Sequence, residues 1–318
     1  MSDLLAVGSY TPATGGRGAG IGLVARDPAT GRLGADAVVL PAASPSHLAP
    51  AGPVSPVSPA GGAGGAGGAA AAEVLVHAAH ELPEGLLSTW RLRRGDASRR
   101  SAPGGEQLAE VPSGGAHPCH VAVHPSGRLL VVSDYGGTTG VVAAEGGVAR
   151  RLVQVLEPRG SGPRSDRQEG PHPHSASFLD DGHVVVADLG TDELRVHAVV
   201  LGAGGAPARL DPDPVQVVAA PPGSGPRTAL VRRRGGGARL HVTGELDATL
   251  LAADAVGGRL GELHAVPPRR PPPPPAGAGR GRRPSPRRWR PSTTRCSWRC
   301  AASTCSGCTA TAGSSTSR

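Results

Sequence analysis

The stretch HPCHVAVHPSGRLLVVSDYGG (His117–Gly137) carries the pattern that decides the fold class. Its second half, RLLVVSDYGG (Arg128–Gly137), is a short Val/Leu run that stops at Asp and Gly, the composition of a β-strand closed by a turn. The same pattern recurs on either side, as LLAVGSY (Leu4–Tyr10), EVLVHAAHEL (Glu73–Leu82), HVVVADLGTD (His183–Asp192) and RLHVTGELD (Arg239–Asp247). Asp134 and Asp188 lie 54 residues apart, and Asp188 and Glu245 lie 57 apart. A second apolar run follows, as in ELRVHAVV and ATLLAADAV, which is what a neighbouring antiparallel strand requires. Repeats of roughly 40–55 residues with several strands each predict four-stranded blades around a channel. No stretch has the period of a useful amphipathic helix. The predicted class is all-β, a β-propeller with five recognisable blades and an incomplete closure.

Two segments break the pattern. Residues 51–72 (AGPVSPVSPAGGAGGAGGAAAA) are low-complexity and too poor in apolar bulk to order themselves, and read as a loop insertion in the second blade. The second break opens near Pro267 with RRPPPPPAGAGRGRRPSPRRWRP and runs to Arg318 without strand periodicity. The predicted organisation is a propeller domain over 1–266 and a disordered Pro/Arg/Cys-rich tail over 267–318. The chain has no Lys or Asn, one Phe and two Tyr, while Gly, Ala, Pro and Arg abound, a bias that follows GC-rich codons. The tail begins where a further blade is due. Its Arg/Pro/Ser/Cys/Trp mixture is what GC-rich coding sequence yields out of frame, so the expectation is a reading-frame slip.

The net charge of +8 resides in that tail, whose eleven Arg from Arg269 onward, with no Asp or Glu, leave the rest of the chain at −3. Nucleic-acid binding needs basic residues on a folded face with aromatic platforms, and is not expected. Four of the five Cys are also there (Cys296, Cys300, Cys305 and Cys308), crowded into thirteen residues. Structural zinc sites pair two knuckles across a spacer of roughly 12–20 residues, so no metal or cofactor is expected. A body with only Cys119 fits a reducing compartment. MSDLLAVGSY has neither a basic n-region nor a long apolar run, and nothing approaches the ~18 consecutive apolar residues of a membrane span. The expectation is a cytoplasmic protein with no membrane partner.

Four motifs in order carry a family resemblance: HPCHVAVHPSGRLLVVSDYGG, GSGPRSDRQEGPHPHSASF (Gly160–Phe178), VVVADLGTDELRVHAV (Val184–Val199) and PPGSGPRTAL (Pro221–Leu230). Together they resemble the seven-bladed lactonase propellers that include bacterial 6-phosphogluconolactonase and fungal carboxymuconate lactonising enzyme. VGSYT near the start and GEL (Gly244–Leu246) also fit, so the resemblance runs from Leu4 to Val266. It implies a site at the mouth of the channel built from His, Arg and Glu. The matching positions are His172 and His174 in PHPH, Arg227 in GPR and Glu245 in GEL. It also implies hydrolysis of a phosphorylated sugar lactone, 6-phosphogluconolactone, by a monomer. The chain departs from the family at Gly244, where Asn is expected, and at Thr228, where His follows the Arg; the family's late Arg-Gly turn has no counterpart. The alternative is a propeller scaffold without turnover.

The residue types suit that chemistry. Opening a δ-lactone needs an activated water and stabilisation of a developing oxyanion. Glu245 or a neutral histidine suits the first role. Arg227 suits the oxyanion or a substrate phosphate, for which a guanidinium fork is well shaped. Arg164 and Arg167 in GPRSDRQEG are loop charges within reach of an anionic substrate. Asp134 and Asp188 read as caps of blade turns, and His120 and His124 as structural residues.

Overall fold

Unbroken Val/Leu runs in an antiparallel protein mean strands buried on both faces, because alternate side chains point to opposite sides of the sheet. The chain shows this directly. The computed structural model describes residues 3–52, 73–95, 102–202, 206–234 and 237–267. All of them fall in one compact unit, Met1–Pro268. The predicted tail with its out-of-frame reading and cysteine set, and nearly all of the low-complexity insertion, lie outside the described residues.

The first sheet orders β1 (Asp3–Val7), β2 (Gly20–Arg26) and β3 (Leu33–Pro41). The second is β4 (Pro45–Pro50), β5 (Glu73–His80), β6 (Leu86–Arg93) and β7 (Gly104–Pro112). The third is β8 (Pro118–Val123), β9 (Leu129–Asp134), β10 (Thr138–Glu145) and β11 (Val148–Leu156). The fourth joins β12 (Pro173–Phe178), β13 (His183–Asp188) and β14 (Glu193–Val200), with β15 (Arg209–Leu210) and β16 (Gln216–Ala219) both on β14. The fifth joins β17 (Pro226–Arg234), β18 (Gly237–Gly244) and β19 (Thr249–Val256), with β20 (Arg259–Leu260) and β21 (His264–Ala265) both on β19. Among the described residues the only helical element is a 3₁₀ turn at Pro12–Thr14. The five runs read from sequence are β1, β5, β9, β13 and β18.

The sheets stack as blades, and each interface is an apolar layer. In β9, Leu129 and Val131 face the fourth blade, while Leu130 and Val132 face the second. In β13, Val184 and Val186 turn back to the third blade, and Val185 and Ala187 turn forward to the fifth. Ile21, Leu23 and Leu40 of the first blade meet Val76, Ala78, Trp90 and Leu92 of the second. Full burial of one such aliphatic side chain is worth about 1.5–3 kcal/mol, so these layers supply most of the cohesion.

The inner strands β4, β8, β12 and β17 pack side by side and share one local design. Each begins with Pro, paired in turn with His80, Asp134, Asp188 and Gly244 at the end of the second strand, and each then bulges. The residue two past the Pro reaches the next blade. His47 Nδ1 accepts from the Val121 amide at 3.2 Å, His120 Nδ1 from Ala176 at 3.4 Å, and Ser175 Oγ from Ala229 at 2.9 Å. Both histidines must be neutral to accept here. The first blade differs: β3 packs against β7, an outermost strand, which puts β1 in the second position. Leu5 and Val7 of β1 are 37% and 50% exposed, whereas β9 is buried throughout. Among the described residues the first blade thus has no inner strand, in keeping with the incomplete closure read from sequence.

The turns behave as expected. Asp188 Oδ1 accepts from the amides of His172, Gly190 and Thr191, and its other oxygen pairs with Arg195 at 2.7 Å. His124 ties Ser126 to the Asp181 carbonyl. Asp192, at φ 54°, accepts from the Gly223 and Gly225 amides at 2.6 and 2.8 Å, and so fixes the loop that launches β17. Asp192→Ala removes both bonds from a buried loop and is expected to cost about 2–4 kcal/mol in urea unfolding.

Buried histidines set the pH dependence. Desolvation pushes His77 and His174 down to about 4, and His120 to about 3 with help from His47 and His174. His47, His80 and His197 are lowered for the same first reason. Their folded values lie below the unfolded one, so the stability they contribute is present at pH 7 and is lost as pH falls below about 6.5. Asp134 opposes this, since burial raises its carboxyl to about 7 and protonation between pH 7 and 4 favours the fold. At pH 5 each of the three most shifted histidines costs about 2 kcal/mol, against about 2–3 kcal/mol returned by Asp134. Thermal melting at pH 5 should therefore fall about 10 °C below that at pH 7. A higher melting point at pH 5 would show that the interblade histidines are not the controlling charges.

Candidate active site

The residues that follow the Pro of each inner strand hold equivalent positions in four successive blades: Ser46, Cys119, His174 and Arg227. Those that follow each second strand do the same: Glu81, Tyr135, Leu189 and Glu245. The register is fixed by the Pro pairings, so the rows follow from strand pairing and not from loop conformation.

Glu245 lies between two guanidinium groups. Arg227 Nε meets its Oε2 at 2.6 Å, and an Arg167 terminal nitrogen meets its Oε1 at 2.6 Å. Burial alone would raise the Glu245 carboxyl, but the hydrogen bond from Arg167 and the charges of Arg167 and Arg227 outweigh it and hold the group below its ordinary value. Arg227 Nε also donates to His174 Nε2 at 3.2 Å, so the His174 proton sits on Nδ1, which faces Cys119 Sγ at 3.7 Å. Desolvation, and then the Arg227 charge, keep His174 neutral at physiological pH.

His172 stands behind this cluster. Its ring stacks on Tyr135 with centroids 4.3 Å apart, its Nδ1 meets the Tyr135 carbonyl at 2.6 Å, and its Nε2 meets Glu169 at 3.1 Å. Tyr135 in turn presents its edge to His174 and accepts at its hydroxyl from Arg167 at 3.4 Å. Arg164 lies further out, paired with Asp166 and reaching the Leu246 carbonyl at 3.5 Å. The sequence-derived set is thus drawn together, with His174, Arg227, Glu245 and Arg167 in direct contact, His172 one residue removed and Arg164 on the rim.

Tyr10, Glu81 and Tyr135 were not read as site residues from the sequence. Tyr10 donates to Glu81 Oε2 at 2.7 Å. A signal was present: His80-Glu81-Leu82 in the second blade repeats Gly244-Glu245-Leu246 in the fifth. The two departures from the family motif also find places. A Cβ at Gly244 would meet Asp247 Oδ1 and Thr249 Oγ1 at 2.4 Å, so the neighbouring Asp–Thr pair fills the space of a side chain. Thr228 holds the register position of His47, His120 and Ser175, but it is exposed and its amide donates to Thr243 Oγ1 within its own blade at 3.1 Å.

A separate cavity of 290 Å³ between the third and fourth blades is lined by Glu157, Pro173, Arg195 and His197 among others. Its cation is already paired with Asp188 and Glu193, so it has no free charge for an anionic ligand.

Comparison with known proteins gives a concordant picture. A 6-phosphogluconolactonase of Bacillus subtilis is 35% identical over 94 residues, 29% of this chain and 26% of that protein. One of Formosa agariphila is 30% identical over 125 residues, 38% of this chain and 35% of that protein. The chain therefore aligns with about a quarter to a third of these relatives' lengths. The solved structure of the Pseudomonas aeruginosa periplasmic gluconolactonase superposes with a TM-score of 0.65 at 23% identity, covering 84% of this chain and 69% of that one. A Lactobacillus plantarum protein gives 0.61 at 22% identity, with 84% and 67% covered. At these identities the structures speak for the fold alone. The model of the lactonase family with a seven-bladed β-propeller matches residues 72–279, about two thirds of the sequence. This chain belongs to the seven-bladed β-propeller lactonase family.

Proposed function

We propose that the chain hydrolyses a sugar lactone, 6-phosphogluconolactone in the first instance, to the open-chain acid within the pentose phosphate route. The observation that carries this reading is the pair Arg167 and Arg227, from different blades, both held on the Glu245 carboxylate beside a neutral His174. An oxyanion forming on the lactone carbonyl needs a fixed cationic donor, and a guanidinium already oriented by a carboxylate pays little reorganisation when charge develops. Arg227, with 48% of its side chain exposed, faces substrate. Arg164 on the rim suits the substrate phosphate. Glu245 spends both oxygens on guanidiniums, and His174 spends its lone pair on Arg227, so these two position the cation. His172 holds Tyr135 in place. The resemblance names no cofactor, and the proposed reaction is a hydrolysis by a cytoplasmic monomer with no nucleic-acid or membrane partner. A second reading, a propeller scaffold without turnover, is favoured by the edge of β1, which has no strand partner beyond β2 among the described residues.

Purified chain given 6-phosphogluconolactone should produce acid faster than the spontaneous rate, measured by pH-stat. Absence of any acceleration would favour the scaffold. Arg227→Ala should lower kcat by about 10²–10³-fold, the usual loss of an oxyanion donor. Its melting temperature should change by no more than a few degrees, since the side chain is half exposed. Glu245→Gln should lower kcat and raise KM together, because two guanidiniums lose the charge that separates them.

A further inference from the structure

Hydrolysis of a lactone requires a group that accepts the proton of the attacking water, and the residues of the cluster described above are committed elsewhere. Glu245 is held by two arginines, and His174 Nε2 by Arg227. Burial, and next the charge of Glu81, push the Cys119 thiol up, so it stays protonated. Burial and the bond to Glu81 do the same for the Tyr10 hydroxyl.

Glu81 is placed differently. Pro45 pairs with His80 just as Pro226 pairs with Gly244, so Glu81 holds in the second blade the register position that Glu245 holds in the fifth. Its Oε2 accepts the Tyr10 hydroxyl at 2.7 Å, and among the described residues it forms no ion pair. The charges of Glu81 and Arg227 both act on Tyr10 and on Cys119, in opposite directions. Cys119 in turn faces His174.

We propose that Glu81, held by the Tyr10 hydroxyl, is the carboxylate that activates the hydrolytic water opposite Arg227. This rests on the lactone-hydrolase reading. Water oxygen attacks the lactone carbonyl carbon as one of its protons passes to Glu81, and the carbonyl oxygen becomes an oxyanion facing Arg227. On collapse the bond from the carbonyl carbon to the ring oxygen breaks. Glu81 returns the proton to that oxygen, which leaves as the sugar hydroxyl, and the new carboxylic acid ionises to solvent. Among the described residues, Tyr10 beyond β1 bonds Glu81, the charge of Glu81 acts on Cys119 of β8, and Asp134 at the end of β9 and Arg227 of β17 act on Cys119 as well.

The test uses the full chain with 6-phosphogluconolactone. Glu81→Gln should lower kcat about 10²-fold or more with KM within a factor of about three, at an unchanged melting temperature. Tyr10→Phe should keep substantial activity but move the acid limb of the kcat–pH profile upward, because the carboxylate loses its hydroxyl donor. A purely structural Tyr10–Glu81 contact would lower stability and leave that limb in place. Wild-type turnover in Glu81→Gln overturns the proposal and leaves the lactonase reading standing. If Glu81→Gln does not fold, an unshifted limb in Tyr10→Phe overturns it. A wild-type chain inert toward lactones overturns the reading itself, and this assignment with it.

Discussion

Each inner strand begins with a proline and bulges, and three of the four then lend one side-chain acceptor to an amide of the following blade. His47 serves Val121, His120 serves Ala176, and Ser175 serves Ala229. A bulge leaves an amide that its own sheet cannot satisfy, and an unsatisfied amide near the core is expensive. Supplying the acceptor from the preceding blade couples local strand geometry to blade stacking. The apolar layers give most of the attraction between blades, but they are not directional. These bonds fix the rotation and register at which the layers meet, and so place everything on the rim.

The rim is an electrostatic consequence of that register. Two rows of side chains, one from inner strands and one from the ends of second strands, are brought level by four equivalent Pro pairings. Because the blades carry different residues at equivalent places, the rows hold Ser, Cys, His and Arg in one and Glu, Tyr, Leu and Glu in the other. A repeated scaffold thereby yields an unrepeated site. The two glutamates show how much environment matters. Glu245 is neutralised by Arg167 and Arg227 and orients them, whereas Glu81 meets a phenol.

The same repetition explains the exposed faces among the described residues. Stacked blades bury both faces only where a neighbour exists on each side. Blades two, three and four have such neighbours, and β9 of the third is buried throughout, while Leu5, Val7, Leu230 and Val256 of the first and fifth blades are exposed. A strand edge such as that of β1 is a liability that closed propellers avoid by pairing. The described part of this chain presents five blades where the family model has seven.

The sequence by itself determined the class, the second strand of every described blade and the residue types of the candidate site, because these depend on local composition and spacing. Val/Leu runs ended by Asp and Gly identify strands and turns whatever surrounds them, and PHPH, GPR and GEL stood out by residue type. Gly244 reads as a defect in the site, yet its neighbours Asp247 and Thr249 fill the space a side chain would take. Arg167 read as a loop charge, though its distance of 78 residues from Glu245 closes to 2.6 Å. Tyr10 and Glu81, 71 residues apart, meet in the same way. Only the tertiary structure decided these pairings, and with them which carboxylate is bound to cations and which meets a phenol. Partner and protonation are properties of the assembled environment, set by burial and by charges from other blades, and a linear sequence contains no record of those distances.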